Sequence, residues 1–115
     1  MNHNMNLNPD AFQKVKSGEK VREYRLYDEK RRKIKIGDTI TFRNLSKTNE
    51  LVTVEVTDLI TYPDWRSCYA DFFEEDLSGY YDNIDEAVSD TYENWWSKEK
   101  EEKYGCLVIV IKKPD

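Results

Sequence analysis

The chain has 115 residues, which is the length of one domain and leaves no room for a second. Aromatic residues make up 13% of the sequence, and this argues against a disordered chain. The formal net charge of −5 likewise argues against a protein that coats nucleic acid non-specifically. We expect one domain over residues 1–115, with its core between residues 6 and 112.

Cysteine and histidine usage argues against a metal centre. Cys68 and Cys106 stand in apolar contexts without a metal-ligand spacing, and the only histidine, His3, lies in an Asn-rich stretch that we expect to be mobile. A small secreted domain would carry more cysteines, so a cytoplasmic location is predicted, with no metal and no cofactor. The longest apolar run, residues 106–111, is too short to span a bilayer, and no membrane partner is expected.

Charge is unevenly distributed along the chain. Residues 11–47 hold twelve basic and five acidic side chains, whereas residues 48–104 hold four basic and sixteen acidic ones. This asymmetry permits a local basic site on an acidic body. The alternative is that the two halves simply neutralise each other in the fold.

The first half of the chain predicts one helix and three strands. Ala11, Phe12 and Val15 recur at helical spacing, and Gly18 is expected to end that helix. Residues 20–27 alternate as a strand, and residues 28–35 form a charged connection. Residues 39–43 and 51–57 alternate again and are separated by a polar turn, which is typical of a hairpin.

The second half predicts helices followed by a buried strand. Asp64 and Asn83 begin helices, the latter with Glu86 as its capping-box partner, and residues 74–82 are expected to form an acidic loop. Trp95 lies on the apolar stripe of the second helix, and residues 97–103 indicate a further short helical turn. Residues 106–111 are continuously apolar, which predicts a central strand. The order favours an α+β domain with a small closed or nearly closed sheet.

Residues 18–25, GEKVREYR, fit the pattern G-x-K-x-x-E-x-R. This pattern resembles the signature of the ASCH family. Three further features resemble that family: the charged stretch that leads into Gly37, the strand after it, and the Tyr104-Gly105 pair before the last strand. The resemblance is to the short single-domain prokaryotic type, and it covers residues 7–111. The family is related to the PUA domains, and the resemblance implies a PUA-like small mixed β-barrel with peripheral helices.

The resemblance also implies a binding cleft lined by the motif. Its ligand-binding residues would be Lys20, Glu23 and Arg25, with Tyr104 on the rim, and its partner would be RNA or a modified nucleotide or nucleoside. One branch of short ASCH proteins is an acetylcytidine amidohydrolase, which this chain resembles at Lys20. That branch has Thr at position 23 where this chain has Glu23, and its distant catalytic Glu would have to be sought among three residues of the acidic loop: Glu74, Glu75 and Asp82.

Residue chemistry leaves both binding and catalysis open. Glu23 and Arg25 share one strand face, where they can form a salt bridge or contact a ligand, since Arg donates to phosphate and Glu accepts from an exocyclic amine. In a regular strand, Lys20 and Glu23 would lie on opposite faces, so a bend is needed to turn Lys20 towards Glu23. A neighbouring carboxylate would favour the charged form of Lys20. The sequence thus predicts a phosphate or carbonyl binder, with Lys20 and Glu23 as catalytic residues only if the protein is an enzyme.

Other side chains give weaker indications. Five basic residues within positions 30–35 form either a phosphate-steering edge or a solvated turn that Asp28, Glu29 and the acidic half neutralise. Tyr80, Tyr81 and Trp96 are better stacking candidates than Trp95, which is expected in the core. The acidic half argues against long duplex DNA as a partner. Two alternatives to a binding module remain: a small hydrolase or nuclease using the same cleft, and a protein-binding adaptor using its acidic helices.

Overall fold

The computed structural model describes residues 1–113 and has the predicted α+β class. The strands are β1 (Asn2–Leu7), β2 (Arg22–Leu26), β3 (Thr39–Asn44), β4 (Leu51–Tyr62) and β5 (Cys106–Lys112). The helices are α1 (Pro9–Ser17), α2 (Trp65–Phe72), α3 (Ile84–Asn94) and α4 (Lys98–Tyr104), with a 3-10 turn at Arg31–Lys33 and a π-helical turn at Phe73–Leu77. No helix among these residues is both long and apolar enough to cross a bilayer.

The five strands form one mixed sheet in the order β1-β3-β4-β5-β2. The last strand, β5, therefore has a neighbour on each side, as its apolar run predicts. Its residues from Cys106 to Ile109 are all buried, which accounts for the absence of polar alternation. The residues group into two compact units, one made of residues 1–23, 34–59 and the end of β5, the other of residues 24–33 and 60–108.

In the first unit, the N-terminal stretch is a strand, so the expectation that it is mobile was wrong. β1 pairs with β3 in parallel, from Asn2 opposite Thr39 to Leu7 opposite Asn44. Met5 and Leu7 are buried, and the backbone hydrogen bonds to β3 compensate for the poor strand propensity of the asparagines.

The remainder of the first unit follows the predicted pattern. β3 and β4 form the expected antiparallel hairpin, with Ile40 opposite Val54 in the core. Helix α1 buries Phe12 and Val15 and ends at Gly18, whose φ of 84° is the left-handed conformation that glycine adopts most readily.

The second unit contains the acidic helices. Asp64 accepts a hydrogen bond from the backbone N–H of Ser67 at 2.7 Å and begins α2. Asn83 accepts from the N–H of Glu86 at 3.0 Å and begins α3, as the capping pattern predicts. The side chain of Glu86 accepts from the N–H of Asp82 instead of the expected Asn83.

Two predictions for the second unit were wrong. The first part of the expected acidic loop forms the π-helical turn, which directly follows α2. Trp95, expected in the core, is 59% exposed. The reason is that α3 ends at Asn94, so the helical periodicity no longer applies to the residue after it.

Candidate functional site

The motif begins at the junction between α1 and β2. After Gly18 the chain turns, and the backbone N–H of Lys20 donates to the carbonyl of Lys14 at 2.9 Å. The carbonyl of Val21 accepts from the N–H of Ile111 at 2.9 Å, which fixes the chain just before the first residue of β2. Lys20 therefore precedes the strand, in the bend that the sequence required.

Lys20 and Glu23 form an ion pair within the first unit. Their Nζ and Oε1 atoms are 3.9 Å apart, and the side chains are 24% and 9% exposed, respectively. Because a lone buried carboxylate is costly, the nearby ammonium compensates for the burial of Glu23. The distance is longer than a direct hydrogen bond, so the pair is held by charge attraction. Lys20 reaches solvent, whereas Glu23 is shielded from it.

The other two predicted ligand-binding residues, Arg25 and Tyr104, belong to the second unit, and both are half-buried. The carbonyl of Tyr104 accepts from Nη2 of Arg32 at 3.2 Å, and Nζ of Lys103 lies 5.1 Å from the centre of the Tyr104 ring. That these two residues and the Lys20–Glu23 pair line one cleft stays a prediction.

The basic cluster at positions 30–35 is partly structural. Arg32 donates to the carbonyl of Tyr27 at 2.7 Å, and its guanidinium lies 4.2 Å from the centre of the Tyr27 ring. Arg31 donates to the Asp28 carboxylate from both its backbone and its side chain. Arg32 thus anchors the turn to a tyrosine, and Lys33 and Lys35 are exposed cations of the cluster.

The acidic turn contacts strand β2 within the second unit. Asp76 accepts a hydrogen bond from the hydroxyl of Tyr24, the residue that follows Glu23. Asp76 lies in the loop where Glu74, Glu75 and Asp82 were expected as distant acids, but it was not predicted itself. Glu74, Glu75 and Asp76 are consecutive, so the sequence gives no signal that singles one of them out.

An aromatic stack connects the surface to the interior of the second unit. The ring centres of Trp65 and Trp96 are 5.1 Å apart, and those of Trp96 and Trp95 are 6.1 Å apart. Trp65 also stacks on Tyr69 at 5.5 Å. Trp96, the predicted stacking candidate, is half-buried in this stack, whereas Trp95 and Tyr80 are each 59% exposed.

Neither cysteine has the properties of a catalytic nucleophile. Both are buried, and burial raises the pKa of Cys68 to about 12 and that of Cys106 above its usual range. Because the thiolate is the reactive form, these thiols are inert near neutral pH. Within residues 1–113, no three His, Cys, Asp or Glu side chains are grouped so as to hold a metal ion.

Comparison with protein families gives one match, to the ASCH domain, over residues 5–115. No curated protein matches the sequence.

Solved structures extend this result. The hypothetical protein PH0355 is 32% identical, with a TM-score of 0.83, and the match covers 99% of this chain and 100% of that one. Protein PF0455 from Pyrococcus furiosus is 31% identical, with a TM-score of 0.76 and coverage of 100% and 99%. A variant of ZmASCH from Zymomonas mobilis is 11% identical, with a TM-score of 0.68, and the match covers 97% of this chain and 68% of that one. This last likeness supports the predicted PUA-like fold alone.

Proposed function

This chain belongs to the ASCH domain family, which is PUA-like and linked to RNA binding, and we propose that its motif residues bind a short RNA or a modified nucleotide. Lys20, Glu23 and Arg25 are the proposed contacts, with Tyr104 as an aromatic neighbour of the ligand. The observation that carries the proposal is the ion pair between partly exposed Lys20 and buried Glu23.

The chemistry of this pair suits a nucleotide. An ammonium carries three N–H donors, so Lys20 can hold Glu23 and also contact a phosphate or carbonyl oxygen. A shielded carboxylate accepts strongly from an exocyclic amine such as that of cytosine. Arg25 follows Glu23 by two positions in β2, the spacing that places side chains on one strand face, and its guanidinium matches the geometry of a phosphate.

The ligand must be short because most of the chain repels a polyanion. Residues 48–104 carry sixteen acidic and four basic side chains, and the net charge is −5. Binding that neutralises two to four phosphates of a single strand gives a log–log salt dependence of roughly −0.7 per phosphate. A long duplex would need many more cationic contacts than the motif and the exposed lysines provide.

The test is a titration of short RNA oligonucleotides and free nucleotides at two salt concentrations. We expect Lys20→Ala and Arg25→Ala to weaken binding at least tenfold, since charge-assisted hydrogen bonds contribute roughly 1.5–3 kcal/mol. Lys16→Ala is the matched control, because Lys16 also pairs with a glutamate, Glu50 at 3.6 Å, but is 55% exposed and lies outside the motif. Equal losses in Lys20→Ala and Lys16→Ala would contradict a motif-centred site.

The hydrolase alternative has one observation in its favour. Asp76 binds the hydroxyl of Tyr24, so an acidic side chain of the π-helical turn contacts the strand that carries Glu23. Incubation with acetylcytidine and other modified nucleosides, followed by mass spectrometry, separates the two functions. An enzyme would release product and lose turnover in Lys20→Ala while it kept its ligand, whereas a binding module would release none and lose affinity.

A further inference from the structure

The helical part of the second unit has a large excess of negative charge. Residues 60–97 contain ten Asp or Glu residues and a single basic residue, Arg66. Three of these carboxylates accept hydrogen bonds from tyrosine hydroxyls: Asp71 from Tyr62, Asp76 from Tyr24 and Asp90 from Tyr81. Two other carboxylates of this acidic segment, Asp82 and Asp85, are exposed to solvent.

A shallow depression of about 420 Å³ lies within this segment. Its apolar lining comes from Phe73 and Ile84, which are both half-buried, and its polar lining from Arg66, Asp82, Asn83 and Asp85. This volume is within the range of about 300–1,000 Å³ that ligand sites occupy. The depression thus combines accessible apolar surface with two exposed carboxylates.

The single cation of the segment lies at this depression. Nη2 of Arg66 is 2.6 Å from Oδ1 of Asp85, and the two side chains are 60% and 77% exposed. An exposed ion pair of this kind contributes little to stability and exchanges readily with another cation. An incoming guanidinium would present to Asp85 the same chemical group that Arg66 presents.

We propose that this depression binds an arginine-containing segment of a basic protein partner. Charge complementarity selects a cationic occupant, since Asp82 and Asp85 flank the site and the surrounding segment is acidic. The apolar lining by Phe73 and Ile84 selects a side chain with an aliphatic stem, because arginine packs its methylene groups on apolar surface while its charged end binds carboxylates. Arginine fits better than lysine, since its planar fork binds a carboxylate through two parallel hydrogen bonds.

Nucleic acid does not fit this surface. The ten carboxylates of residues 60–97 repel phosphate. The depression therefore favours a cationic ligand, whereas the motif that we assign to RNA favours an anionic one. A protein with both sites would contact RNA through one surface and a basic protein through the other.

The test is a titration of the full chain with a short peptide of Arg, Leu and Gly. Wild type is expected to bind the peptide, and the double variant Asp82→Asn/Asp85→Asn to bind it about tenfold more weakly. The control Glu19→Gln/Glu55→Gln removes two exposed negative charges of the other unit and should stay within about twofold of wild type.

A second variant is expected to bind the peptide more tightly, and loss of folding could not produce that result. Arg66→Gln keeps two of the three methylene groups but removes the competing charge, so it is expected to raise peptide affinity by about twofold to fivefold. Lys20→Ala should leave peptide binding unchanged, which keeps this result independent of the RNA site. Three outcomes would overturn the proposal: equal losses in both double variants, no binding of the peptide by wild type, or self-association of the chain that Asp82→Asn/Asp85→Asn abolishes.

Discussion

The hydroxyl of Tyr92 contacts both carboxylate oxygens of Glu101, at 2.7 and 2.9 Å. The same carboxylate accepts from the backbone N–H of Trp65 at 2.9 Å, at the start of α2. Glu101 is only 4% exposed, so these bonds replace the water that its burial removes. A single carboxylate of α4 thereby joins the N-terminus of α2 to the side of α3.

This network predicts a stability difference between two adjacent glutamates. Glu101→Gln places an amide group against a donor and is expected to lower the free energy of unfolding by about 1–3 kcal/mol, because a buried donor loses its acceptor. Glu102→Gln is the control, since Glu102 is exposed, and it should change stability by no more than about 0.5 kcal/mol. Urea unfolding measures both, and equal effects would show that Glu101 holds no essential contact.

A second prediction concerns Gly105, between α4 and β5. Its φ is 73°, and a Cβ atom there would lie 2.9 Å from the carbonyl oxygen of Tyr62. We expect Gly105→Ala to destabilise the protein by at least ~1–2 kcal/mol, from the positive φ and the clash together. Gly79→Ala is the control, because a Cβ at Gly79 meets no atom within 4 Å. A thermal unfolding curve for Gly105→Ala that matches that of Gly79→Ala would refute this argument.

Alkaline pH is expected to destabilise the second unit. Burial, together with hydrogen bonding to Asp90 and Glu101, raises the pKa of Tyr81 and of Tyr92 to about 12, and burial raises that of Cys68 to about 12. Their ordinary values are 10.0 for tyrosine and 9.0 for cysteine. Because the folded state holds these protons more tightly, their contribution is complete below pH 9 and is lost as the pH rises towards 12. Denaturant unfolding across this window should show a steady fall, and constant stability up to pH 12 would contradict the burial of these groups.

Acidic pH is expected to destabilise the first unit by protonating the Asp38 carboxylate. Its carboxylate accepts from the ring of His3 at 2.8 Å and from the backbone N–H of Lys35 at 3.0 Å, and these bonds lower its pKa from 3.8 to about 2. The stabilisation is therefore present above pH 3.8 and is lost as the pH falls through 2. Asp38→Asn should speed amide exchange in β1 at neutral pH, with no difference from wild type in strong acid. Unchanged protection of β1 in the variant would mean that Asp38 does not hold this strand.

The parts of the fold that depend on local patterns were predictable from sequence. Gly18 ends α1, Asp64 and Asn83 begin α2 and α3, and β5 lies inside the sheet, because caps and apolar runs act over a few neighbouring residues. Strand β1 was missed because its asparagines favour no strand, and its stability comes from pairing with a segment more than thirty positions away.

The candidate site was predictable only in part. The bend that brings Lys20 to Glu23 was required by the motif, and the structure has it. The contact of Asp76 with Tyr24 and the anchoring of Arg32 on Tyr27 are tertiary contacts that no periodicity indicates. In the sequence, nothing distinguishes Asp76, Tyr24 or Tyr27 from the many other acidic and aromatic residues.

The most direct test of the proposed function is the affinity of the full chain for a short single-stranded RNA, measured for wild type, Lys20→Ala and Lys16→Ala at two salt concentrations. We expect wild type and Lys16→Ala to bind alike with a shallow salt dependence, while Lys20→Ala remains folded but binds at least tenfold more weakly. Identical RNA affinities for all three folded proteins, or no binding by any of them, would contradict an RNA site at the Lys20–Glu23 pair.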